Sequence, residues 1–249
     1  MSPTGDAEIG AAHQERIQKM ISANYKIVQE RVLSAARRSG RSDDAVQVMA
    51  VTKNFSHIYS QAALSAGLSL FGENRVQEAT SKYSACGRTF ELHLIGHLQR
   101  NKAQAAANLF DTVQSIDSIH TAVALERRCA AVNRTVKILL ELNSSGESTK
   151  AGFLTENDLL AAAVEISSSC PHLPIGGLMT VGAHSSDEAI VRSSFVRLRA
   201  VHEQLLNDHP SAGVLSMGMS QDFELAIEEG ATLIRLGEAL LGKRPVPPQ

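Results

Sequence analysis

From about residue 45 onward, the sequence alternates short apolar, β-branched runs with longer segments of helical periodicity. This alternation is typical of βα units whose strands form one parallel sheet. Eight such units favour closure into a (β/α)8 TIM barrel, a fold of roughly 250 residues, while an open, doubly wound sheet is the competing arrangement. The strands are predicted over residues 46–52, 68–71, 92–95, 112–116, 136–142, 175–181, 214–217 and 233–236.

An amphipathic segment over residues 11–38 precedes the first predicted strand and ends at Ser39-Gly40, a typical helix stop. This extra N-terminal helix would either cover the bottom of the barrel or replace the outer helix missing after the last strand. Because no internal stretch is rich in Pro, Gly or Ser, we predict one domain spanning residues 1–249. Disorder is expected only over residues 1–10 and 244–249.

The charge balance excludes several classes of partner. The chain has 24 basic and 26 acidic residues and a net charge of -2, so neither nucleic acid nor an anionic membrane surface is the expected partner. Cys86, Cys129 and Cys170 are far apart and odd in number, which favours reduced thiols over a disulfide framework. With no targeting or membrane-spanning segment evident, we expect a cytoplasmic protein.

The chemistry of a parallel barrel gathers at the carboxyl ends of its strands. Lys53 directly follows the first predicted strand, where desolvation would lower the pKa of its ammonium group and suit it to condense with a carbonyl. The competing interpretation is a lysine that only extends from the strand end into solvent.

The turns after the seventh and eighth predicted strands favour an anion. Ser216 to Ser220 form a strand end and a flexible turn before a helix, and Gly237 with Glu238 begins another helix. Backbone N–H groups at such starts bind anions, and these two loops are the usual phosphate site of barrels. An ordinary capped turn is the alternative. Arg235 could point into the barrel, where a guanidinium facing a pyridine nitrogen would leave that nitrogen unprotonated.

His93 and His97 invite a metal interpretation, which we disfavour. On a strand they would lie roughly 13 Å apart at about 3.3 Å per residue, too far to chelate one ion without a sharp bend.

Six motifs together resemble the pyridoxal phosphate homeostasis protein family. They are AVTK over residues 50–53, FGENRVQE over 71–78, HLIGHLQRNK over 93–102, GLMT over 177–180, LSMGMSQD over 215–222 and IRLG over 234–237. The resemblance implies a barrel like the N-terminal domain of alanine racemase, without that enzyme's second domain, with pyridoxal 5′-phosphate (PLP) as the cofactor.

The resemblance also implies roles for particular residues. Lys53 would carry PLP as an internal aldimine, a Schiff base on its side chain. Ser216, Ser220, Gly237 and the backbone near Glu238 would hold the phosphate, Arg235 would face the pyridine nitrogen, and Asn74 with His93 would line the ring pocket. Many relatives have Thr or Ser where this chain has Glu238, so we expect the Glu238 carboxylate to turn to solvent while its N–H binds. No residue is predicted to be catalytic, and no metal site is predicted.

The implied function is intracellular PLP homeostasis by a monomer without substantial catalysis, whose partners are PLP and PLP-dependent apoenzymes. The alternative is an amino-acid racemase of the alanine type. That reaction needs a base on each face of the substrate Cα, and the racemases take their second base, a tyrosine, from the domain missing here. Tyr25, Tyr59 and Tyr83 are predicted to lie in helices away from strand ends. A metal-dependent hydrolase would need more converging ligands, and a scaffold without ligand would leave Lys53 unexplained.

Overall fold

The computed structural model describes residues 3–84, 87–147 and 150–243, and over residues 3–11 it describes the backbone alone. Its strands close into one parallel barrel in chain order, with the last strand paired to the first. The predicted barrel is confirmed, and the open sheet is excluded. The strands are β1 (Gln47–Val51), β2 (Leu70–Glu73), β3 (Glu91–Leu94), β4 (Thr112–Ile116), β5 (Lys137–Glu141), β6 (Ile175–Met179), β7 (Val214–Ser216) and β8 (Leu233–Leu236).

Helices alternate with the strands around the outside of the barrel. Ser118, Thr155 and Asp187 cap three of them, each with a side-chain oxygen that accepts a first-turn N–H. No helix within the described ranges is both long and apolar enough to cross a membrane. The helices are α1 (Pro3–Arg38), α2 (His57–Ser65), α3 (Val76–Tyr83), α4 (Ala103–Leu109), α5 (Ile119–Ala131), α6 (Glu156–Ser169), α7 (Glu188–Asp208), α8 (Phe223–Glu228) and α9 (Glu238–Leu241), with a 3-10 turn (Arg100–Lys102) before α4.

The α1 helix takes the place of the missing outer helix. Within the described residues that follow β8, which end at 243, the chain forms only the single turn of α9, and α1 packs against α2, α8 and α9. The Asn24 side-chain amide donates to the Leu240 carbonyl at 3.0 Å, which ties α1 to α9. Of the two positions considered for the N-terminal helix, the structure therefore has the one on the outside of the barrel.

The helix α1 begins at Pro3, earlier than the predicted start at residue 11. The expectation of disorder for residues 3–10 stays a prediction. Proline is favoured at the first helical position, which suits Pro3 to the start of the helix. The expectations of disorder for residues 1–2 and 244–249 lie outside the described residues.

The apolar layer inside the barrel is small. Met49, Leu70 and Leu233 pack together there, with Ile95 and Val214 against them. The main core lies between the strands and the surrounding helices. Because side chains alternate between the two faces of a strand, each strand contributes to both layers. This arrangement leaves inward positions for polar side chains near the mouth, the end of the barrel where the strands finish.

Closure depends on one close approach between β6 and β7. Gly177 in β6 has φ +147°, a conformation that favours glycine, and a Cβ there would overlap the backbone carbonyl of Val214 in β7. The sheet register also shifts beside this point, between Ile138 and Leu139 of β5. The chain therefore needs a glycine at this position to complete the barrel.

Candidate functional site

Lys53 lies in a tight turn at the mouth, immediately after β1. The turn is closed by a hydrogen bond from the Phe55 N–H to the Thr52 carbonyl at 3.1 Å, and Asn54 has φ +63°. Asn is one of the few residues besides Gly that adopt this left-handed conformation readily. Lys53 is half-buried. The structure thus puts the lysine at the strand end that the sequence predicts.

The loops after β7 and β8 meet at the mouth. The Ser220 hydroxyl accepts a hydrogen bond from the Ala239 N–H in the first turn of α9, at 3.3 Å. Gly218 has φ +92°, and a Cβ there would lie 2.6 Å from the Ala226 Cβ, so a glycine is needed to let the loop pack on α8. The Ser220 loop therefore touches the start of α9, and N–H groups at such a helix start can bind an anion.

Gly237 and Glu238 form the start of α9. Gly237 is the cap residue, and Glu238 is the first helical residue, with its side chain exposed. The exposed position matches the expectation that the Glu238 carboxylate turns to solvent. A carboxylate in the first turn of a helix interacts favourably with the helix dipole, so this orientation is stable.

Arg235 is buried inside the barrel at the end of β8, with 4% of its surface exposed. Its guanidinium donates to the Thr180 carbonyl and to the Ser216 hydroxyl, both at 2.7 Å. Burial lowers the pKa of Arg235 to about 10, an effect opposed by Glu141 and Asp222. The group therefore remains a cation at neutral pH, and two hydrogen bonds fix its orientation.

A chain of hydrogen bonds leads from Arg235 across the barrel interior. Ser216 Oγ donates to Gln114 Oε1 at 2.7 Å, and Gln114 Nε2 lies 2.7 Å from Nδ1 of His93. His93 Nε2 is 2.7 Å from Glu91 Oε1 at the start of β3. The sequence analysis missed Gln114 and Glu91.

Two of the predicted site residues, Ser216 and His93, belong to this series of hydrogen bonds. Ser216 is fully buried and bonded to Arg235 and Gln114, whereas Ser220 lies at the start of α9. The two serines therefore have different hydrogen-bond partners in the structure. His93 is held between Gln114 and Glu91 inside the barrel, on the far side of Ser216 from Arg235. Ser216 and His93 are thus both linked to Arg235 by hydrogen bonds, and their predicted contacts with the phosphate and the ring stay predictions.

Asn74 follows β2 and is half-buried at the mouth. Its backbone carbonyl packs so closely on Gly96, after β3, that a Cβ at Gly96 would overlap it. The neighbouring strand ends are therefore in contact, and Asn74 lies where a residue lining the mouth is expected.

Glu141 is a buried carboxyl at the end of β5, and the sequence analysis missed it. Only 8% of the residue is exposed, and burial raises the pKa of Glu141 to about 7. The charge of Arg235 opposes this rise, while Asp117 adds to it. The mouth therefore contains a carboxyl group that is half-protonated near neutral pH.

The position of Tyr83 differs from the sequence prediction. The Tyr83 hydroxyl is 3.1 Å from Thr52 Oγ1 at the end of β1 and 2.7 Å from Ser60 Oγ. Tyr83 therefore reaches a strand end, although all three tyrosines were predicted to lie away from one. The residue ends α3 and is buried against Ser60 of α2 on the outer side of the barrel, and burial raises the pKa of Tyr83 to about 12.

The two histidines of the HLIGH motif have different partners. His93 bonds to Gln114 and Glu91, while His97 Nδ1 lies 3.0 Å from Asp117 Oδ2. Over the part of the chain that the structure describes, no three His, Cys, Asp or Glu side chains come together as metal ligands.

Comparison with known proteins gives consistent results. Residues 20–245 match the family model described as alanine racemase, N-terminal domain. A pyridoxal phosphate homeostasis protein of Helicobacter pylori is 38% identical over 210 residues, which are 84% of this chain and 92% of that protein. One from Aquifex aeolicus is 36% identical over 219 residues, 87% of this chain and 95% of the relative.

A solved structure extends the match to three dimensions. PipY of Synechococcus elongatus, with PLP bound, superposes with a TM-score of 0.73 at 35% identity, over 86% of this chain and all (100%) of that one. The sequence and fold comparisons therefore confirm the resemblance that the six motifs indicate.

Proposed function

This chain belongs to the pyridoxal phosphate homeostasis protein family, and from that premise we propose that it binds PLP at the barrel mouth and serves intracellular PLP homeostasis. The observation that carries the proposal is the convergence at the mouth of an amine, an anion cradle and a buried guanidinium. These are Lys53 after β1, the Ser220–Ala239 contact between the loops after β7 and β8, and Arg235 inside the barrel.

The residues fit PLP by their chemistry. Nζ of Lys53 attacks the aldehyde carbon, a C=N bond forms, and the aldehyde oxygen leaves as water. The phosphate accepts hydrogen bonds from Ser220 and from the N–H groups around Gly237 and Glu238. Asn74 lines the ring pocket. The bound group supplies an aldehyde and an aromatic ring that can accept electrons.

Arg235 limits what chemistry the site can perform. In the proposed complex the Arg235 guanidinium donates a hydrogen bond to the pyridine nitrogen. Because a guanidinium does not give up its proton at neutral pH, the nitrogen stays unprotonated. The two hydrogen bonds of Arg235 to Thr180 and Ser216 hold it in this role. An unprotonated ring is a weak electron acceptor, which disfavours transamination.

We propose that the protein holds and delivers PLP without substantial catalysis. Racemisation would need a second base opposite Lys53. Tyr83 is engaged by Ser60 and Thr52 on the outer side of the barrel, and the Tyr59 ring packs 4.8 Å from that of Phe55. Tyr25 lines a cavity beside the first residues of β1 and β2, away from the mouth. These positions support a carrier over an alanine-type racemase.

We further propose a single-domain monomer in the cytoplasm that passes PLP to PLP-dependent apoenzymes. Buried Cys129 and Cys170 are free thiols, and burial raises the pKa of both, which keeps them unreactive. Sedimentation of the purified protein tests the monomer. Activation of an apoenzyme mixed with the loaded protein tests delivery.

The test of binding is an absorption titration with PLP. Wild type and Lys26→Ala, which removes an exposed lysine of α1, should both develop the absorption band of lysine-bound PLP, and Lys53→Ala should not. If Lys53→Ala absorbs and retains PLP like wild type, the proposed site is wrong. An assay of D- and L-alanine interconversion tests the racemase alternative, which would show turnover on the order of 1 to 10³ s⁻¹.

A further inference from the structure

The helix α3 contacts the backbone on both sides of Lys53. Lys82 Nζ donates to the carbonyl of Thr52, the residue before the lysine, at 2.8 Å. The N–H of Asn54, the residue after it, donates to Glu78 Oε1 at 2.5 Å. Glu78 and Lys82 form an ion pair of 2.6 Å with each other, one helical turn apart. One ion pair therefore holds both peptide groups that flank Lys53.

Buried groups hold this ion pair in place. Lys82 also donates to Glu73 Oε1 at 3.0 Å, and its side chain is only 11% exposed. Glu73 is completely buried and accepts a further hydrogen bond from Thr52 Oγ1 at 2.8 Å. The Tyr83 hydroxyl lies beside the same two groups. Surface ion pairs contribute little because their side chains move freely, but Lys82 is fixed by three acceptors.

The turn needs such support. Asn54 is in the left-handed conformation, and a lysine side chain has four rotatable bonds, so a loop alone would leave Nζ widely distributed. Condensation requires Nζ near attack distance from the aldehyde carbon, and a misplacement of about 1 Å can lower a rate by roughly 10²-fold. Fixing the two flanking peptide groups removes the backbone part of that freedom.

We propose that Glu78 and Lys82, which we call the α3 clamp, are positioning residues for the reaction of Lys53 with PLP. In this proposal the clamp acts through the backbone on either side of Lys53 and not by contact with the ring or the phosphate. It gives a role to the FGENRVQE segment beyond Asn74. The inference rests on the proposed function, because positioning matters only if Lys53 reacts.

The experiment compares covalent and non-covalent binding. Lys82→Met and Glu78→Gln are each measured for the rate of PLP condensation by absorbance, and for the affinity of 4′-deoxypyridoxine 5′-phosphate, which has no aldehyde. The matched control is Lys19→Met, which breaks the exposed Lys19–Glu15 pair with the same helical spacing in α1. Amide hydrogen exchange at Asn54 reports whether the clamp is open in the apoprotein.

We expect the condensation rate to fall by roughly 10- to 100-fold in Lys82→Met. Amide hydrogen exchange at Asn54 should become faster, and the affinity for the aldehyde-free ligand should stay within about twofold of wild type. Lys82→Arg, which keeps the charge and the donors, should restore part of the rate. Lys19→Met should match wild type in condensation rate, in affinity for the aldehyde-free ligand and in Asn54 exchange. If Lys82→Met does not fold, Glu78→Ala, which removes the acceptor of the Asn54 N–H, carries the test with the same three measurements.

Two results would overturn the inference. One is an unchanged condensation rate in a variant whose Asn54 exchange has risen. The other is an equal loss of affinity for the aldehyde-free ligand, which would show a general distortion of the mouth. Failure of wild type itself to condense with PLP is a different result, because it overturns the proposed function and the inference with it.

Discussion

Glu141 links the stability of the barrel to pH. Because burial raises its pKa to about 7 from an ordinary 4.5, the folded chain binds a proton more tightly than the unfolded chain does. The stability that this proton contributes is complete below about pH 4.5 and is lost as the pH rises through 7. The ionised carboxylate is the form that burial disfavours.

We predict that Glu141→Gln flattens this dependence. Between pH 5 and pH 8 wild type should lose roughly 2.5 kcal/mol of its free energy of unfolding through Glu141, and the apoprotein of the variant should not show this loss. Denaturant titrations at the two pH values measure this difference. Glu165→Gln, at an exposed position of α6, is the control and should follow wild type. Parallel pH profiles for Glu141→Gln and wild type would contradict the pKa given to Glu141.

We expect the Ser220 hydroxyl to contribute to the affinity for the phosphate group of PLP and not to the affinity for the rest of the ligand. Removing this hydroxyl takes one hydrogen bond from a charged group, which is worth about 1.5 to 3 kcal/mol, or on the order of 10- to 100-fold in affinity. We predict that Ser220→Ala weakens PLP by this factor and leaves pyridoxal, which lacks the phosphate, almost unchanged. The exposed Ser211 at the opposite end of β7 provides the control variant Ser211→Ala.

Equilibrium titrations with both ligands provide the measurement. Equal weakening of PLP and pyridoxal in Ser220→Ala would mean that the loop distorts and that the serine is not a phosphate ligand. Ser216→Ala should instead weaken both ligands together, because Ser216 holds Arg235 in place.

Some residues at the barrel mouth can be predicted from the sequence, and others cannot. Lys53 and Arg235 are predictable because each stands at the end of an apolar run, where barrels place reactive groups. Gln114 and Glu141 leave a weaker signal, because each is a polar residue at an inward position of a buried strand. Their hydrogen-bond and charge partners lie on other strands, and those pairings depend on strand register, which periodicity does not give.

Among the elements, α1 depends most on tertiary packing. Its buried face includes Ile21, which is completely enclosed, while Ile27 on the opposite face is 56% exposed. A helix at a barrel surface is stabilised mainly by its buried stripe.

We predict that Ile21→Ala lowers the free energy of unfolding by about 2 to 5 kcal/mol, whereas Ile27→Ala changes it by less than about 0.5 kcal/mol. Chemical denaturation measures both variants. Equal effects of the two substitutions would mean that α1 does not pack on α2, α8 and α9 as described.

The predicted boundaries agree with the structure for some strands and differ from it for others. β4 and β8 begin and end where the apolar runs do, because both runs are flanked by polar or small residues. β2 starts at Leu70, later than the predicted residue 68, because Leu68 belongs to the turn after α2, where its N–H bonds to the Ala63 carbonyl. Such local hydrogen bonds compete with the sheet and cannot be read from hydrophobicity alone.

At the scale of the whole molecule, closure is what creates the site. Pairing of β1 with β8 places Met49 opposite Arg235, so the loop that carries Lys53 adjoins the loops of the proposed anion cradle. In an open sheet β1 and β8 would be distant. The count of eight strands predicts this closure, whereas the place of α1 on the outside of the barrel required the structure.

The central claim is that Lys53 is the residue that bonds covalently to PLP. It is tested most directly by adding PLP, reducing with borohydride, digesting the protein and locating the modified lysine by mass spectrometry. We predict a phosphopyridoxyl group on Lys53 in wild type and in Lys26→Ala, and no stoichiometric label in Lys53→Ala. Stoichiometric labelling of another lysine in wild type, or full labelling of Lys53→Ala, would contradict the account.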